Sequence, residues 1–172
     1  MDYNGIGSPR QQNIEKLRDL IKGINIAMLT TLDSRDGTLR SRPMATQEME
    51  FDGELWFFTD GDSAKVLEIE REQQVNVSYA DNGRQRYVSV SGTAFVVQDR
   101  AKMQELWNPM LKAWFPDGID TPGIALLRID VEKAEYWEGS SRIAELLAMA
   151  KAAVTGDSAD DELGKNEKIQ LQ

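Results

Sequence analysis

The sequence predicts a mainly β (α+β) protein, built as a six-stranded antiparallel barrel with a few helices at its edges. Three observations support this fold class. Six segments have the apolar and β-branched character of strands. Three connections contain Asp-Gly or Asn-Gly, the dipeptides that tight hairpins favour. Gly92 lies inside a long apolar run and indicates the bulge or sharp bend that a barrel corner requires.

The helices are predicted from apolar spacing and from capping residues. Residues 12–24 (QNIEKLRDLIKGI) place apolar side chains at helical intervals and predict an amphipathic N-terminal helix. Two further helices are predicted at 63–72 and 99–114, the second with Asp99 as N-cap and Pro109 as a kink or break. A last helix is predicted over 141–154 from its single apolar stripe.

The strands are predicted from the segments between these helices. They cover residues 26–33, 38–51, 54–60, 74–81, 85–99 and 123–139. Turns at Asp36-Gly37, Asp52-Gly53 and Asn82-Gly83 favour antiparallel neighbours over βαβ crossovers, because Asn and Gly tolerate positive φ. A hairpin of 38–51 with 54–60 about Asp52-Gly53 is the arrangement that these turns suggest for the middle of the chain.

Composition limits the chemistry that the chain can perform. The 172 residues include no cysteine and no histidine, which excludes disulfides, Cys/His zinc sites, His-ligated haem and a Ser-His-Asp triad. A net charge of −9 and a pI of about 4.6 argue against nucleic acid or an anionic membrane as partner. The first residues lack a basic region followed by an apolar core, so we expect no signal peptide and a cytoplasmic protein.

The stretch FFTDGDSAK (residues 57–65) places a lysine where a helix should begin. The first turn of a helix usually prefers Asp or Glu, because the helix N-terminus carries a partial positive charge. Exposed N–H groups, the hydroxyls of Thr59 and Ser63 and the ammonium of Lys65 would together form an anion receptor suited to phosphate. The alternative is a lysine that points into solvent and is neutralised by Asp60 and Asp62.

The stretch RSRPM (residues 40–44) adds two arginines to the neighbouring strand. Arg40 and Arg42 alternate along it and therefore share one face, and Pro43 implies an edge or a bulge because proline cannot donate to a sheet ladder. If the hairpin about Asp52-Gly53 forms, Arg42 lies near the start of the 63–72 helix. Arginine and lysine would then converge on one spot.

Other candidate residues have weaker support. Glu68, Glu70 and Glu72 are interpreted as a solvated helix face, since no apolar context would shift their pKa values. Trp107, Trp114 and Trp137 are core residues or, alternatively, flat walls for a planar heterocycle. No metal-ligand spacing is present, and no catalytic residue can be named.

Four stretches taken together resemble the FMN-binding split-barrel superfamily: LRSRPM, ELWFFTDGDSAKVLEIE, QVNVSYAD and YVSVSGTA. The closer likeness is to its general stress protein branch, which is related to pyridoxamine 5′-phosphate oxidase. The resemblance covers roughly residues 12–139 and implies a six-stranded antiparallel split β-barrel with flanking helices, in a domain that we expect to span residues 1–154. We expect residues 155–172, which are polar and acidic, to form a mobile tail.

The resemblance also implies a homodimer that holds FMN in a groove between its subunits. The FMN phosphate would be bound by the arginine of RPM and the lysine of SxK, and Trp137 would pack beside the flavin. Trp107 or Trp114 would reach the partner's flavin. The residues that the resemblance assigns to the cofactor are Arg42, Pro43, Met44, Gln47, Phe58, Thr59, Ser63, Ala64, Lys65 and Trp137.

Departures from the family pattern reduce the number of functions that are consistent with this sequence. The absence of histidine makes pyridoxamine phosphate oxidation doubtful and excludes the haem-degrading relatives. The first hypothesis is a flavin-dependent oxidoreductase or reductase, with a nicotinamide as candidate electron donor. The second is a non-catalytic protein that binds or sequesters flavin, and the third is a partner-binding barrel with no cofactor. The phosphate contacts do not distinguish FMN from FAD.

Overall fold

The computed structural model describes residues 8–47, 50–139, 149, 153 and 164–171. The helices are α1 (Pro9–Ile21), α2 (Ala64–Arg71) and α3 (Arg100–Leu106), with 3-10 helices at Pro109–Ala113 and Gly118–Asp120. The strands are β1 (Ile26–Asp33), β2 (Thr38–Ala45), β3 (Glu54–Asp60), β4 (Gln74–Asp81), β5 (Arg86–Val97), β6 (Ile124–Gly139) and β7 (Gly164–Gln170). The helix predicted over 141–154 lies outside the described residues, apart from two isolated positions.

All strand pairs are antiparallel, and the strands follow the order β2-β1-β4-β5-β6-β3. The sixteen-residue strand β6 is long enough to serve two partners along one edge. Its first half pairs with β3 and its second half with β7. The mainly β antiparallel fold with six predicted strands is therefore confirmed, and β7 adds a seventh.

Local sequence signals account for several features of the chain. Gly37 has a φ of 76° in the β1–β2 turn, where its lack of a Cβ removes the steric penalty. The register of β5 against β6 shifts between Ser91 and Gly92, which confirms the predicted bulge. Asp99 caps α3 by accepting the Lys102 backbone N–H at 3.0 Å. The helix ends before Pro109, as predicted.

Two expectations about the chain's course are wrong. β2 pairs with β1 while β3 pairs with β6, so the Asp52-Gly53 turn does not close a hairpin between them. Gly53 has the predicted positive φ, but the turn links the two ends of the strand path. Residues 164–170 of the expected mobile tail form β7, because Ile169 and Leu171 bury their side chains in the core.

The apolar side chains form two clusters. The larger one fills the barrel and includes residues from α1, α2 and all of the strands. The smaller one lies outside the barrel, where Trp56 and Phe58 of β3 pack under α3 and the following 3-10 helix. Successive β3 side chains thus face different clusters, as a strand with two buried faces requires. The chain after Phe58 turns directly into the start of α2, which positions the site described next.

Candidate functional site

Arg40 and Arg42 of β2 lie on the face of the strand that α2 covers. In the β1–β2 ladder Arg42 is opposite Leu29 and Arg40 is opposite Thr31, and both of these β1 residues are buried. The alternation of the strand therefore directs both guanidinium groups toward α2. The predicted shared face is present, although β2 reaches it through β1 and not through a hairpin with β3.

Glu68 of α2 connects the two arginines. Its Oε1 accepts a hydrogen bond from Arg40 Nη1 at 2.8 Å, and its Oε2 accepts one from Arg42 Nη2 at 2.8 Å. Thr31 Oγ1 also donates to Oε2 at 2.5 Å, and Arg42 Nη1 donates to the same Thr31 hydroxyl. Glu68 is only 4% exposed, so the interpretation of this residue as part of a solvated face is wrong.

The pKa of Glu68 reflects competing effects. Burial alone would raise it, because a low dielectric disfavours the charged carboxylate. Hydrogen bonds from Thr31 and Arg42, together with the charges of Arg42 and Arg40, outweigh burial and lower the pKa below its usual value. The carboxylate is therefore ionised at neutral pH, and it accepts hydrogen bonds from three donors.

A second buried carboxylate, Asp33, ends β1 beside this cluster. Arg35 Nη2 donates to Asp33 Oδ2 at 2.7 Å, and Arg40 Nη1 lies 3.8 Å from the same oxygen. The hydrogen bond from Arg35 is the main reason that the pKa of Asp33 lies well below its usual range. Arg40 thus contacts two carboxylates, whereas the ion pair of Arg42 is with Glu68 alone among the described residues.

Lys65 lies on the same face of α2 as Glu68, because residues three apart in a helix are neighbours. Its Nζ donates to Ser63 Oγ at 3.2 Å, and Ser63 Oγ lies 3.5 Å from Thr59 Oγ1. Over the described ranges Lys65 has no carboxylate within ion-pair distance. Ser63 makes no side-chain cap, and its carbonyl accepts the Val66 N–H, so the backbone N–H groups of Ala64 and Lys65 are the ones available among the described residues.

The electrostatic state of Lys65 fits a site that receives an anion. Burial lowers its pKa, and the positive charge of Arg42 lowers it further, while Asp60 and Glu68 act in the opposite direction. A partly buried ammonium beside a guanidinium is unfavourable unless negative charge is supplied. Two cations, two hydroxyls and free helix amides form the donor set that phosphate groups prefer.

The remaining residues assigned to the cofactor occupy varied positions. Pro43 is exposed on the outer face of β2, and Ala64 is exposed at the start of α2. Met44 and Phe58 are buried, Met44 in the larger cluster and Phe58 in the smaller one against Trp107 and Phe115. Their side chains are thus core elements.

Gln47 lines a cavity of about 650 Å³ beyond the end of β2. Its amide donates to the Ala45 carbonyl at 3.2 Å. The cavity extends between the end of α1 and β3 and reaches Tyr79 of β4. Its walls include apolar and aromatic side chains: Ile21, Ile24, Phe51, Leu55, Trp56 and Phe57.

The structure does not bring Trp137 to this cluster within one chain. Trp137 is on β6, and β1, β4 and β5 separate β6 from β2 in the sheet. It is 41% exposed on the outer face, opposite Tyr87 of β5. Trp107 packs edge-on against Phe58, with ring centroids 5.6 Å apart, whereas Trp114 is 61% exposed.

Two residues that hydrogen-bond with Arg42, Thr31 and Glu68, were not predicted from the sequence as site residues. They are 37 residues apart, and each lies in a segment whose pattern is explained by packing alone. The available signal was the heptapeptide VLEIERE, in which Glu68 falls between the core residues Val66 and Ile69. A carboxylate on a buried helix face requires a cationic partner, and the two arginines of β2 were available for that role.

Among the described residues, no helix is both long and apolar enough to cross a membrane. No cluster of three or more metal-ligating side chains occurs in that part of the chain.

Comparison with known proteins identifies relatives of this chain. Residues 12–160 match the family model described as pyridoxamine 5′-phosphate oxidase like. Protein bli-3 of Neurospora crassa is 32% identical over 161 residues, which are 88% of this chain and 77% of that protein.

Solved structures agree with this assignment. The general stress FMN/FAD binding protein of Xanthomonas citri is 32% identical, with a TM-score of 0.64, covering 76% of this chain and 92% of that one. A Clostridium acetobutylicum protein related to general stress protein 26 of B. subtilis shares the fold, with a TM-score of 0.68 at 18% identity over 94% of this chain and 96% of that one. The family match covers strands β1 to β6, both arginines, Glu68 and Lys65, and on these grounds the chain belongs to the pyridoxamine 5′-phosphate oxidase-like family.

Proposed function

We propose that the protein binds FMN, with the phosphate held by Arg42, Thr59, Ser63 and Lys65. One observation carries this proposal: Lys65 is partly buried beside Arg42 and has no carboxylate partner over the described residues. A phosphate would supply the missing negative charge and accept hydrogen bonds from the free amides of α2. The Xanthomonas citri relative, described as FMN/FAD binding, supports a flavin as the molecule that carries the phosphate.

The flavin ring would extend from Lys65 toward Gln47, which lines the 650 Å³ cavity beyond β2. The apolar and aromatic side chains of that cavity offer contacts for a planar heterocycle. When bound, the flavin supplies the redox chemistry. The residues of this chain bind and orient it: Arg42 and Lys65 fix the phosphate, and the apolar walls exclude water from the ring.

The protein would act as a homodimer, with each flavin at the interface. The outer face of the sheet carries exposed apolar side chains from three strands: Ile26, Met28, Tyr87 and Trp137. An apolar patch of this kind usually marks an interaction surface. Because three strands separate Trp137 from Arg42 in one chain, Trp137 would reach the flavin of a second copy.

Two functions are consistent with such a site. The first is a flavin-dependent oxidoreductase or reductase that takes electrons from a nicotinamide donor and needs no histidine. The second is a flavin-binding stress protein without turnover. Glu68 does not separate them, because its carboxylate is engaged by three donors and hydride transfer to a flavin requires no protein acid or base. Anaerobic addition of NADH or NADPH to the flavin-loaded protein separates them, since only an oxidoreductase would bleach the flavin absorbance.

The binding proposal is tested by titrating FMN and riboflavin, which lacks the phosphate, into the wild type and Lys65→Ala. The expected result is a loss of FMN affinity of roughly tenfold or more, about 1.4 kcal/mol, with riboflavin affinity unchanged. Arg71→Ala is the matched control, because Arg71 is an exposed cation at the other end of α2. The phosphate site would be refuted if the wild type does not bind FMN, or if Lys65→Ala binds FMN as tightly as the wild type. Sedimentation of the same samples measures the oligomeric state and tests whether the protein is a dimer.

A further inference from the structure

The carboxylate of Glu68 is held in an arrangement that packing does not require. It is buried on α2, accepts from Arg40, Arg42 and Thr31, and lies one helical turn from Lys65. Val66 and Ile69 already provide the apolar contacts of α2 with the barrel. An apolar residue at position 68 would avoid the cost of burying a charge, so the ion pairs indicate a purpose other than stability.

The contacts of Arg42 indicate what that purpose is. A free arginine side chain loses rotamer entropy when it is fixed, and the binding of an anion would have to overcome that loss. Arg42 is instead fixed through Nη1 to Thr31 and through Nη2 to Glu68, and only 19% of its side chain is exposed. The guanidinium is therefore ordered beside Lys65 before any anion arrives.

We propose that Glu68 is a positioning residue, which orders Arg42 for the phosphate and thereby raises the affinity of the site for phosphorylated ligands. This inference rests on the proposed function. By this inference the negatively charged Glu68 favours the binding of a negatively charged phosphate. Charge alone would have the opposite effect, because a carboxylate near the phosphate repels it. The sign of the effect therefore distinguishes positioning from simple charge neutralisation.

The test measures FMN and riboflavin affinities of Glu68→Gln, which keeps the shape and removes the charge. Positioning predicts that FMN affinity falls about fivefold or more while riboflavin affinity is unchanged. Glu70→Gln, an exposed position on the same helix, is the control. Unchanged or tighter FMN binding would show that Glu68 only neutralises charge, and an equal loss for both ligands would show a purely structural role. Either result overturns the inference.

A double-mutant cycle adds a second readout. If Glu68 acts through Arg42, Glu68→Gln should have no further effect on FMN affinity in an Arg42→Ala background.

Should Glu68→Gln fail to fold, Thr31→Val removes the hydroxyl that bridges Arg42 and Glu68 and should give the same selective loss in smaller degree. A Thr31→Val protein with wild-type FMN affinity would then overturn the inference. Failure of wild type to bind FMN refutes the proposed function itself, whereas FMN binding that depends on Lys65 but not on Glu68 refutes this inference alone.

Discussion

Replacing Ile169 by alanine tests whether β7 is part of the cooperatively folded barrel. Ile169 pairs with Ala134 of β6 and is 5% exposed in the larger core cluster. The strand is also held from the other side, since Asn13 of α1 donates to the Gln170 carbonyl at 2.7 Å. If these contacts persist in solution, the side chain of Ile169 contributes to global stability.

The magnitude follows from the buried side chain. Ile169→Ala removes three carbon groups, which at about 0.8 kcal/mol each give a transfer cost of about 2.4 kcal/mol. Residual cavity raises typical buried Ile-to-Ala costs to about 2–5 kcal/mol, and we expect about 3 kcal/mol. At a urea m-value of about 2 kcal/mol/M, the unfolding midpoint falls by about 1.5 M.

Urea unfolding at one fixed protein concentration, followed by tryptophan fluorescence, provides the measurement. Gln170→Ala is the matched control, because its side chain is exposed while its backbone bond to Asn13 is kept. We expect the control to shift stability by less than about 0.5 kcal/mol. Equal midpoints for the two variants would show that β7 does not belong to the cooperative unit, and the assignment of a seventh core strand would be withdrawn.

Two further predictions concern the bulge and the buried carboxylate. Gly92→Ala should destabilise the protein by about 3 kcal/mol or more, because its Cβ would lie 2.3 Å from the Asp130 carbonyl oxygen. Gly83→Ala is the control and should be nearly neutral in the same thermal or urea unfolding assay. Acid should destabilise wild type more steeply than Glu68→Gln. The folded-state pKa of Glu68 is lowered from 4.5, so its contribution is present above that unfolded value and is lost as pH falls through the lower folded-state value. Parallel pH profiles would contradict this.

The sequence predicts most of the barrel because its information is local. The bounds of β1, β3 and β4 agree with those read from apolar alternation and from the turn dipeptides. The connection through Asp52-Gly53 was misassigned because a turn dipeptide specifies backbone conformation and not the strand that becomes the neighbour. Pairing β2 with β1 and β3 with β6 depends on contacts far apart in sequence.

β7 was missed for a different physical reason. Its sequence GKNEKIQ has the polar, charged composition of a disordered segment. An edge strand, however, pairs on one side only, and lysines on such strands are a common protection against further pairing. A single inward residue, Ile169, followed by Leu171, provides the burial. Composition alone cannot separate these two cases, since both are rich in Lys and Glu.

The position of Lys65 was recognised in the sequence as a conflict with helix electrostatics, and the structure increases that conflict. The ammonium lies at the N-terminus of α2, whose dipole is positive there, and Arg42 adds a further positive charge. The Glu68 oxygens are committed to other donors, so they offset this charge without pairing with Lys65. A protein with a net charge of −9 has more carboxylates than cations, so a carboxylate could neutralise this lysine. Their absence from the Lys65 ammonium, in the part of the chain described, is explained if the position is kept for the negative charge of a ligand, because local conflicts of this kind concentrate at functional sites.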